Sequence, residues 1–281
     1  MTINIKSLEI LYNKNKNFWM FHRVLIEGNK INDIYQKRGM LHTYSEIIDL
    51  MDSALKKGLQ FGSIEQARED ENIIHLTFDD GYKEHLVVAK KLKKRYELAW
   101  NDVTFAINIR NSFYPEKFSM DLVYKSISSN KTKELSKAIG CDASNMEISD
   151  IKNAVFKSKK YISLSNELGI DLKGFFLNEP EVLEISKLFS IASHSINHVY
   201  LTSLKGDDIL NELQESKLFL QSKLGISINT MCYPEGEHNR EIREIAKQCG
   251  YKYGLSIDTG DGDYAIGRTI PKASSKMEVI S

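Results

Sequence analysis

The sequence predicts an α/β fold built on a parallel sheet. Short apolar runs alternate with helical patterns along most of the 281 residues. This strand-then-helix order is typical of parallel sheets, whose neighbouring strands need a crossover connection. The alternation leaves open whether the sheet stays open or closes into a barrel. The predicted strands are NFWMFHRVL (17–25), IIHLTF (73–78), VTFAINI (103–109), KLFSIAS (187–193), INTMCY (228–233) and YKYGLSI (251–257).

Helical patterns separate these strands. The clearest is TYSEIIDLMDSALKKG (43–58), where Thr43 and Glu46 have capping-box spacing and Gly58 provides a stop. Further helices are predicted at 84–95, 207–225 and 239–250. The stretch from about 113 to 180 is helical in pattern, polar and free of strand signals. We interpret it as an insertion into one catalytic domain spanning residues 1–281, because few of its residues could form an independent core.

The composition argues against several classes of protein. Lys+Arg and Asp+Glu both number 38, so no basic excess indicates a nucleic-acid partner. No stretch approaches the roughly 18 apolar residues that a membrane span needs. The three cysteines, Cys141, Cys232 and Cys249, form no CxxC pair, which suits a reducing compartment. Because the amino terminus MTINIKSLEI lacks a signal-peptide core, a cytoplasmic protein is predicted, unless a leader has been removed.

Two polar groups follow predicted strands. Asp79 and Asp80, in LTFDDG, come directly after IIHLTF, and His194 and His198, in SHSINH, come directly after KLFSIA. Asp-Asp-Gly is also ordinary turn chemistry, and a lone histidine there would be a packed core residue. However, functional groups gather at the carboxyl ends of parallel strands, and two histidines four residues apart can bind one cation.

Two histidines and one carboxylate would leave coordination positions open for water and substrate. That arrangement is typical of a catalytic metal site rather than a structural one. It also explains the adjacent carboxylates. One aspartate can bind the metal while its neighbour accepts a proton from the attacking water, and the cation stabilises both charges.

TFDDG followed by HSxxH resembles the polysaccharide deacetylases of carbohydrate esterase family 4, which share the NodB homology domain. The stretch CYPEGEHN (232–239), followed by a helix and Gly-Tyr, is similar to the third motif of that family. The resemblance covers about 17–110 and 185–275 and leaves the insertion unmatched. It implies a distorted (β/α)7 barrel and metal-dependent N-deacetylation of amino sugars. The expected cofactor is a divalent metal ion, with zinc as the first candidate.

The resemblance also implies roles for single residues. Asp79 corresponds to the catalytic base. The expected metal ligands are Asp80, His194 and His198. The backbone N–H of Glu235, in the third motif, would face the oxyanion of the tetrahedral intermediate.

The sequence departs from the family pattern at two places. Cys232 stands where many members have an arginine that pairs with the catalytic aspartate. Arg268, in AIGRTIPK, is a candidate replacement, although a surface arginine near a strand end is an equal alternative. The late motif that ends in a general-acid histidine is also absent. FWMFHRV has its shape and resembles members with a circularly permuted motif order, so His22 is assigned as the general acid, with a buried structural histidine as the alternative and His238 as the next candidate.

The expected function is removal of an N-acyl group, acetyl in the first instance, from an amino sugar in a glycan or glycan precursor. One alternative is a deformylase acting on a nucleotide- or lipid-linked N-formyl sugar, which a cytoplasmic location would favour. Another is an inactive carbohydrate-binding relative. A nucleophilic Cys232 is disfavoured, because no adjacent histidine base is evident. The insertion is expected to lie over the rim of the site, since it leaves from the loop after VTFAINI.

Overall fold

A computed structural model describes residues 17–28, 34–114, 121–158, 161–257 and 262–272. The expectation for the amino terminus, and the parts of the predicted insertion at 115–120 and 159–160, lie outside the described residues. Within them, no helix is both long enough and apolar enough to cross a bilayer.

The strands of the described residues all pair in parallel. They are β1 (Phe18–Phe21), β2 (Arg23–Leu25), β3 (Leu41–Thr43), β4 (Gln60–Phe61), β5 (Ile73–Phe78), β6 (Val103–Ile107), β7 (Ser190–Ser193), β8 (Thr230–Cys232), β9 (Tyr253–Ser256) and β10 (Ile266–Gly267).

Seven of these strands form a nearly closed barrel. Their order is β1-β5-β6-β7-β8-β9-β10, with β4 pairing beside them on β5. The first and last strands then meet, because Trp19 bridges to Thr269 just after β10. Met20 N–H donates to the Thr269 carbonyl at 2.9 Å, and Thr269 N–H donates to the Phe18 carbonyl at 2.8 Å. The expected (β/α)7 barrel is therefore confirmed, and the two ends of the ring are neighbours.

Helices cover the outside of the barrel and build the insertion. They are α1 (Ile34–Lys37), α2 (Tyr44–Lys56), α3 (Ile64–Glu69), α4 (His85–Arg95), α5 (Ile109–Phe113), α6 (Asp121–Ser128), α7 (Thr132–Ile139), α8 (Ile148–Ser158), α9 (Tyr161–Leu168), α10 (Glu179–Leu188), α11 (Asp207–Leu224) and α12 (Arg240–Gln248). Short 3-10 turns lie at Ala143–Asn145, Leu201–Ser203 and Pro234–Gly236.

The helix predicted at 43–58 is confirmed together with its capping box. The Thr43 hydroxyl accepts from the Glu46 N–H at 3.1 Å, and the Glu46 carboxylate accepts from the Thr43 N–H at 2.7 Å. Of the three residues that form its predicted apolar stripe, Ile47 and Met51 are buried against the barrel, whereas Leu55 is exposed. Gly58 has φ 82°, a left-handed conformation that suits glycine after a helix end.

Two predicted strands differ from the structure at their carboxyl ends. The run 17–25 divides at His22, because β1 pairs with β5 while β2 pairs with β3. The run 103–109 ends as a strand at Ile107. Asn108 then caps α5, its side chain accepting from the Asn111 N–H at 3.1 Å.

The insertion packs its apolar side chains into a second cluster with residues from the barrel loops. Leu122, Leu135 and Ile151 are buried there, and Tyr35 and Tyr82 join them from outside the insertion. Tyr82 lies two residues after Asp80. The described part of the insertion, which contains no strand, is thus packed beside the carboxyl end of β5.

Candidate active site

The structure brings the predicted site residues into one pocket at the carboxyl ends of the barrel strands. These residues follow five different strands, and two of the strands are each followed by a pair of them. The pocket is lined, among others, by His22 after β1, Asp79 and Asp80 after β5, His194 and His198 after β7, Glu235 after β8 and Arg268 after β10. This edge is where active sites of parallel barrels occur.

Three ligand atoms converge on one side of the pocket. Asp80 Oδ1 lies 3.2 Å from His194 Nε2 and 3.0 Å from His198 Nε2. The two Nε2 atoms are 3.1 Å apart. Although these distances are short, the buried Asp80 Oδ1 accepts no hydrogen bond from the described residues. Three electronegative atoms that face one another in this way are the arrangement expected around a cation.

Contacts on the far side of the histidines support the same interpretation. His194 Nδ1 lies 2.7 Å from the Cys232 carbonyl oxygen and must carry the proton that this contact needs. Nε2, which faces Asp80, is therefore the nitrogen available to bind a cation. A backbone acceptor behind a metal-binding imidazole is a common means of orienting it. The Asp/His/His donor set fits a divalent ion with open coordination positions.

The charge on Asp80 is stabilised by its surroundings. Burial alone would raise the pKa of its carboxyl, but His198 and His194 outweigh burial, and the pKa lies well below its usual value. Asp80 is therefore an anion at neutral pH. Its backbone is left-handed, with φ 77°, as are those of Ser195 (φ 59°) and His198 (φ 52°). Strained non-glycine residues of this kind cluster at functional sites.

Two buried side chains that sequence reasoning missed hold the loop from His194 to His198. The Glu212 carboxylate, on α11, accepts from the Ile196 N–H at 2.9 Å and the Asn197 N–H at 3.0 Å. Asn108 donates from its side chain to the carbonyls of His194 (3.0 Å) and Ser195 (3.1 Å). Neither belongs to a local motif, so only the tertiary structure could identify them.

Asp79 forms a buried, two-pronged ion pair with Arg268. The guanidinium donates to Oδ1 at 2.8 Å and to Oδ2 at 2.7 Å. Burial would raise the pKa of Asp79, but Arg268 and then His194 outweigh it and lower the pKa below its usual value. Arg268 is 2% exposed, so the alternative of a surface arginine is wrong. The arginine that pairs with Asp79 thus follows β10, and it takes the role predicted for an arginine at the position of Cys232.

Cys232 is buried beside this pair, with Sγ 3.8 Å from Arg268 Nη1. Burial raises the pKa of its thiol well above the ordinary value, so little thiolate is present at neutral pH. A nucleophilic cysteine needs a lowered pKa. The three cysteines are all free.

His22 lies at the carboxyl end of β1 and lines the pocket. Its Nδ1 is buried and has no hydrogen-bond partner among the described residues. Burial lowers the pKa of its ring to about 4, so the ring is neutral at neutral pH. Its carbonyl accepts from His85 Nε2 at 2.7 Å. His238 does not line the pocket, and its ring packs 5.3 Å from that of Tyr233.

Glu235 lies in the 3-10 turn after β8 with a left-handed backbone, φ 56°. Its carboxylate pairs with Lys152, on α8 of the insertion, and with Arg38 Nη2 at 3.4 Å. Burial would raise the pKa of Glu235, but Lys152 and Arg38 outweigh it and lower the pKa. The insertion therefore reaches the pocket wall, where it contributes Asp121, Tyr124 and Lys152. Sequence reasoning identified none of these three.

Comparisons with known proteins agree with this geometry. A family model described as polysaccharide deacetylase matches residues 150–254, which include the loop with His194 and His198 and the turn with Glu235. "Putative polysaccharide deacetylase YxkH" of Bacillus subtilis (strain 168) is 29% identical over 98 residues, covering 33% of this chain and 35% of that protein. The match thus spans about a third of that relative's length.

Solved structures share the fold over most of the chain. The Streptococcus pyogenes deacetylase PplD in complex with acetate has a TM-score of 0.56 at 16% identity, covering 90% of this chain and 91% of that one. A de-N-acetylase from Aggregatibacter actinomycetemcomitans has a TM-score of 0.56 at 16% identity, covering 93% and 96%. IcaB from Ammonifex degensii has a TM-score of 0.55 at 13% identity, covering 92% of both chains.

The nearly closed parallel barrel, with its polar pocket at the carboxyl ends of the strands, defines the NodB-like class of deacetylase folds. Within that class, residues 150–254 match the polysaccharide deacetylase family model, and the solved deacetylases share the fold over most of the chain. The permuted motif order, with His22 first, stays a prediction.

Proposed function

We propose that the protein is a metal-dependent hydrolase that removes an N-acyl group, in the first instance acetyl, from an amino sugar. The observation that carries the proposal is the convergence of three ligand atoms beside the buried Asp79–Arg268 pair in one pocket. Metal-assisted hydrolysis is helped by a general base beside the cation, and Asp79 lies next to the proposed ligand Asp80.

Asp80, His194 and His198 are the proposed ligands, and zinc is the first candidate for the metal. A divalent ion held there would polarise the acyl carbonyl and lower the pKa of a water molecule. Arg268 keeps Asp79 ionised and fixes its orientation, so that one carboxylate oxygen can take the proton from the attacking water. General-base catalysis of this kind typically contributes about 10² to 10⁴ in rate.

The departing nitrogen needs a proton when the C–N bond breaks. His22 is proposed to deliver it from the β1 side of the pocket. Because burial holds the pKa of this ring at about 4, His22 is neutral at the start. To act as the general acid, the ring must therefore take up a proton before it gives one to the amine. His22→Ala should lower kcat and leave metal content unchanged; a loss of bound metal would contradict this role.

The Glu235 N–H is proposed as the donor to the oxyanion. Removing one such donor from an enzyme typically costs about 2.7–4 kcal/mol of transition-state stabilisation. The left-handed turn that carries Glu235 lines the same pocket as the proposed ligands. This shared pocket supports the assignment of the Glu235 amide.

There are two alternatives to an N-deacetylase. The first uses the same catalytic chemistry, and the second has no catalytic activity. A deformylase acting on a nucleotide- or lipid-linked N-formyl sugar would use the same residues and release formate. An inactive carbohydrate-binding relative would be expected to lack Asp79 or a ligand, yet all four of these side chains are present and meet in the pocket.

Mass spectrometry tests the proposal directly. Zinc-loaded protein is incubated with N-acetyl and N-formyl amino sugars, free and in nucleotide-linked, lipid-linked and oligosaccharide form. We expect release of the acyl group from at least one of them, with Asp79→Asn protein as the matched control. The mass lost identifies the acyl group. Unchanged substrates throughout would overturn the proposed hydrolase and favour the binding protein.

A further inference from the structure

Four side chains from four separate segments form a closed ring of hydrogen bonds in the pocket wall. Lys152 Nζ donates to the Tyr124 hydroxyl at 2.8 Å and to a Glu235 carboxylate oxygen. Arg38 donates to the same hydroxyl and, at 3.4 Å, to the other Glu235 oxygen. Both cations therefore share the same two acceptors. We refer to Arg38, Tyr124, Lys152 and Glu235 as the four-residue ring.

Because Lys152 is buried, its charge needs partners inside the protein. The side chain is 1% exposed. A lysine is almost never fully buried unless it is paired, because its ammonium loses hydration. Here the partners are the Glu235 carboxylate and the Tyr124 hydroxyl, and the Tyr124 ring centroid lies 4.2 Å from the ammonium. Through the buried charge of Lys152, the insertion thus binds the turn after β8 of the barrel.

The turn Pro234–Gly236, to which Lys152 binds, has a backbone conformation that its surroundings must stabilise. Glu235 has φ 56°, a conformation that a non-glycine residue adopts only when its surroundings hold it. Gly236 follows with φ 73°, and a Cβ there would lie 2.4 Å from an Ile257 side-chain atom. The turn is packed tightly against the barrel on one side, while the four-residue ring fixes its side chain on the other.

We propose that Lys152 is a positioning residue: through the four-residue ring it orients the turn 234–236, and with it the Glu235 N–H that faces the oxyanion. The catalytic part of this inference rests on the proposed function. The insertion is then a structural component of the catalytic turn as well as part of the pocket wall. The inference assigns to Lys152 no contact with substrate or with the reacting atoms.

Hydrogen exchange of the full chain tests whether Lys152 holds the turn 234–236, and it needs no activity assay. In Lys152→Met, amides in the peptide spanning 233–237 should exchange about tenfold faster than in the parent, since the turn loses its strongest support. Lys157→Met is the matched control, because Lys157 is an exposed lysine on the same helix. Lys152→Arg keeps the charge and the donors and should restore most of the protection.

Kinetics then separate positioning from a merely structural role. On a substrate identified as above, Lys152→Met should lower kcat by up to about 10²-fold, with a much smaller change in KM and unchanged bound metal, because a misplaced donor affects the transition state most. Lys157→Met should match the parent in both constants. Should Lys152→Met fail to fold, Tyr124→Phe removes only the shared hydroxyl oxygen and should raise exchange in the same peptide.

The two readouts distinguish failure of this inference from failure of the proposed function. Unchanged exchange at 233–237 in a folded Lys152→Met or Tyr124→Phe protein would overturn the positioning role, whatever the activity. Faster exchange with kcat unchanged would overturn its catalytic part. A parent protein that hydrolyses no N-acyl sugar would overturn the proposed function, while the exchange result would still decide whether Lys152 grips the turn.

Discussion

Asp79 and Asp80 are consecutive, yet their carboxylates meet different partners. The left-handed backbone at Asp80 (φ 77°) directs one carboxylate toward two imidazoles, while the other faces the Arg268 guanidinium. The two negative charges therefore face different surroundings, which lessens their mutual repulsion. This division predicts that the two residues respond differently to substitution.

The ligand role of Asp80 can be tested on purified protein. The double variant Asp80→Ala, His194→Ala removes two of the three converging atoms, so we expect little bound zinc by elemental analysis. The Lys157→Met protein, altered only at an exposed position, should retain the parent stoichiometry. If the double variant bound as much zinc as the parent, Asp80 and His194 would not be the metal ligands.

Asp79→Asn should show the opposite pattern. It keeps the shape of the side chain and removes the basic oxygen, so turnover should fall by about 10² to 10⁴ while zinc content stays near that of the parent. The measurement is kcat together with elemental analysis of the same sample. Equal loss of metal would mean that the roles of the two aspartates are reversed.

Arg268→Met should be strongly destabilising, because it leaves the buried Asp79 charge without its partner. Removing one member of a buried pair typically costs about 3–5 kcal/mol. Chemical denaturation measures the free energy of unfolding. Combining Arg268→Met with Asp79→Asn removes both charges and should recover most of the loss. A double variant as unstable as the single one would show that Arg268 acts through packing instead.

At this scale, the sequence could predict residues that lie in short motifs at strand ends. Asp79, Asp80, His194 and His198 are of this kind, since their proximity follows from the topology alone. Lys152 and Glu212 lie in the middle of helices, where a charge is ordinarily solvated. Nothing local distinguishes them from their exposed neighbours, because their roles come from contacts 83 and 15 residues away in the chain.

Helix α11 acts on the proposed metal site through one side chain. The Glu212 carboxylate accepts hydrogen bonds from the N–H groups of Ile196 and Asn197, so it stabilises the loop between the two histidines. Both N–H groups bond to Oε2, and the Asn197 side-chain amide donates to Oε1. Glu212→Gln therefore places an NH₂ group against at least one of these donors, whichever way the new amide is oriented. We expect a loss of about 1–3 kcal/mol of stability and, because an orienting group is disturbed, a 10- to 100-fold weaker metal affinity.

The control for this experiment lies on the same helix. Glu215 is exposed, so Glu215→Gln should change neither the free energy of unfolding nor the zinc affinity measured by competition with a chelator. If the two variants behaved alike, α11 would have no influence on the loop.

Elements were predictable where local signals agree with tertiary pairing. The capping box and stripe of α2 specify a helix before any packing is considered. The run 17–25 shows the opposite case, because its apolar, β-branched and aromatic residues give no sign that the chain changes partners at His22. A strand's partner is set by the whole sheet, so a break of this kind has no local signature.

The molecule as a whole should respond to metal binding. The proposed ligands follow β5 and β7, which flank β6 in the barrel, so a bound ion would link segments that lie far apart in the chain. A ligand that binds only the folded state stabilises it by about 2.7 kcal/mol at one hundred times its Kd. Zinc should therefore raise the Tm of chelator-treated protein.

The variant Asp80→Ala, His194→Ala should give the same Tm with and without zinc. Scanning calorimetry of both proteins at matched concentrations makes the comparison. A rise in the Tm of the variant equal to that of the parent would place the stabilising metal elsewhere in the molecule.

The seam between β1 and β10 has a consequence for how the protein is made. Asp79 is synthesised early, but its partner Arg268 lies 189 residues later, and the carboxyl-terminal strand must also complete the pairing with β1. Domains generally fold as units during synthesis, amino-terminal parts first. Here the nascent chain cannot bury Asp79 at low cost until Arg268 has been synthesised, so the pocket is assembled only after β10 and a chain that stops before Arg268 carries an incomplete pocket.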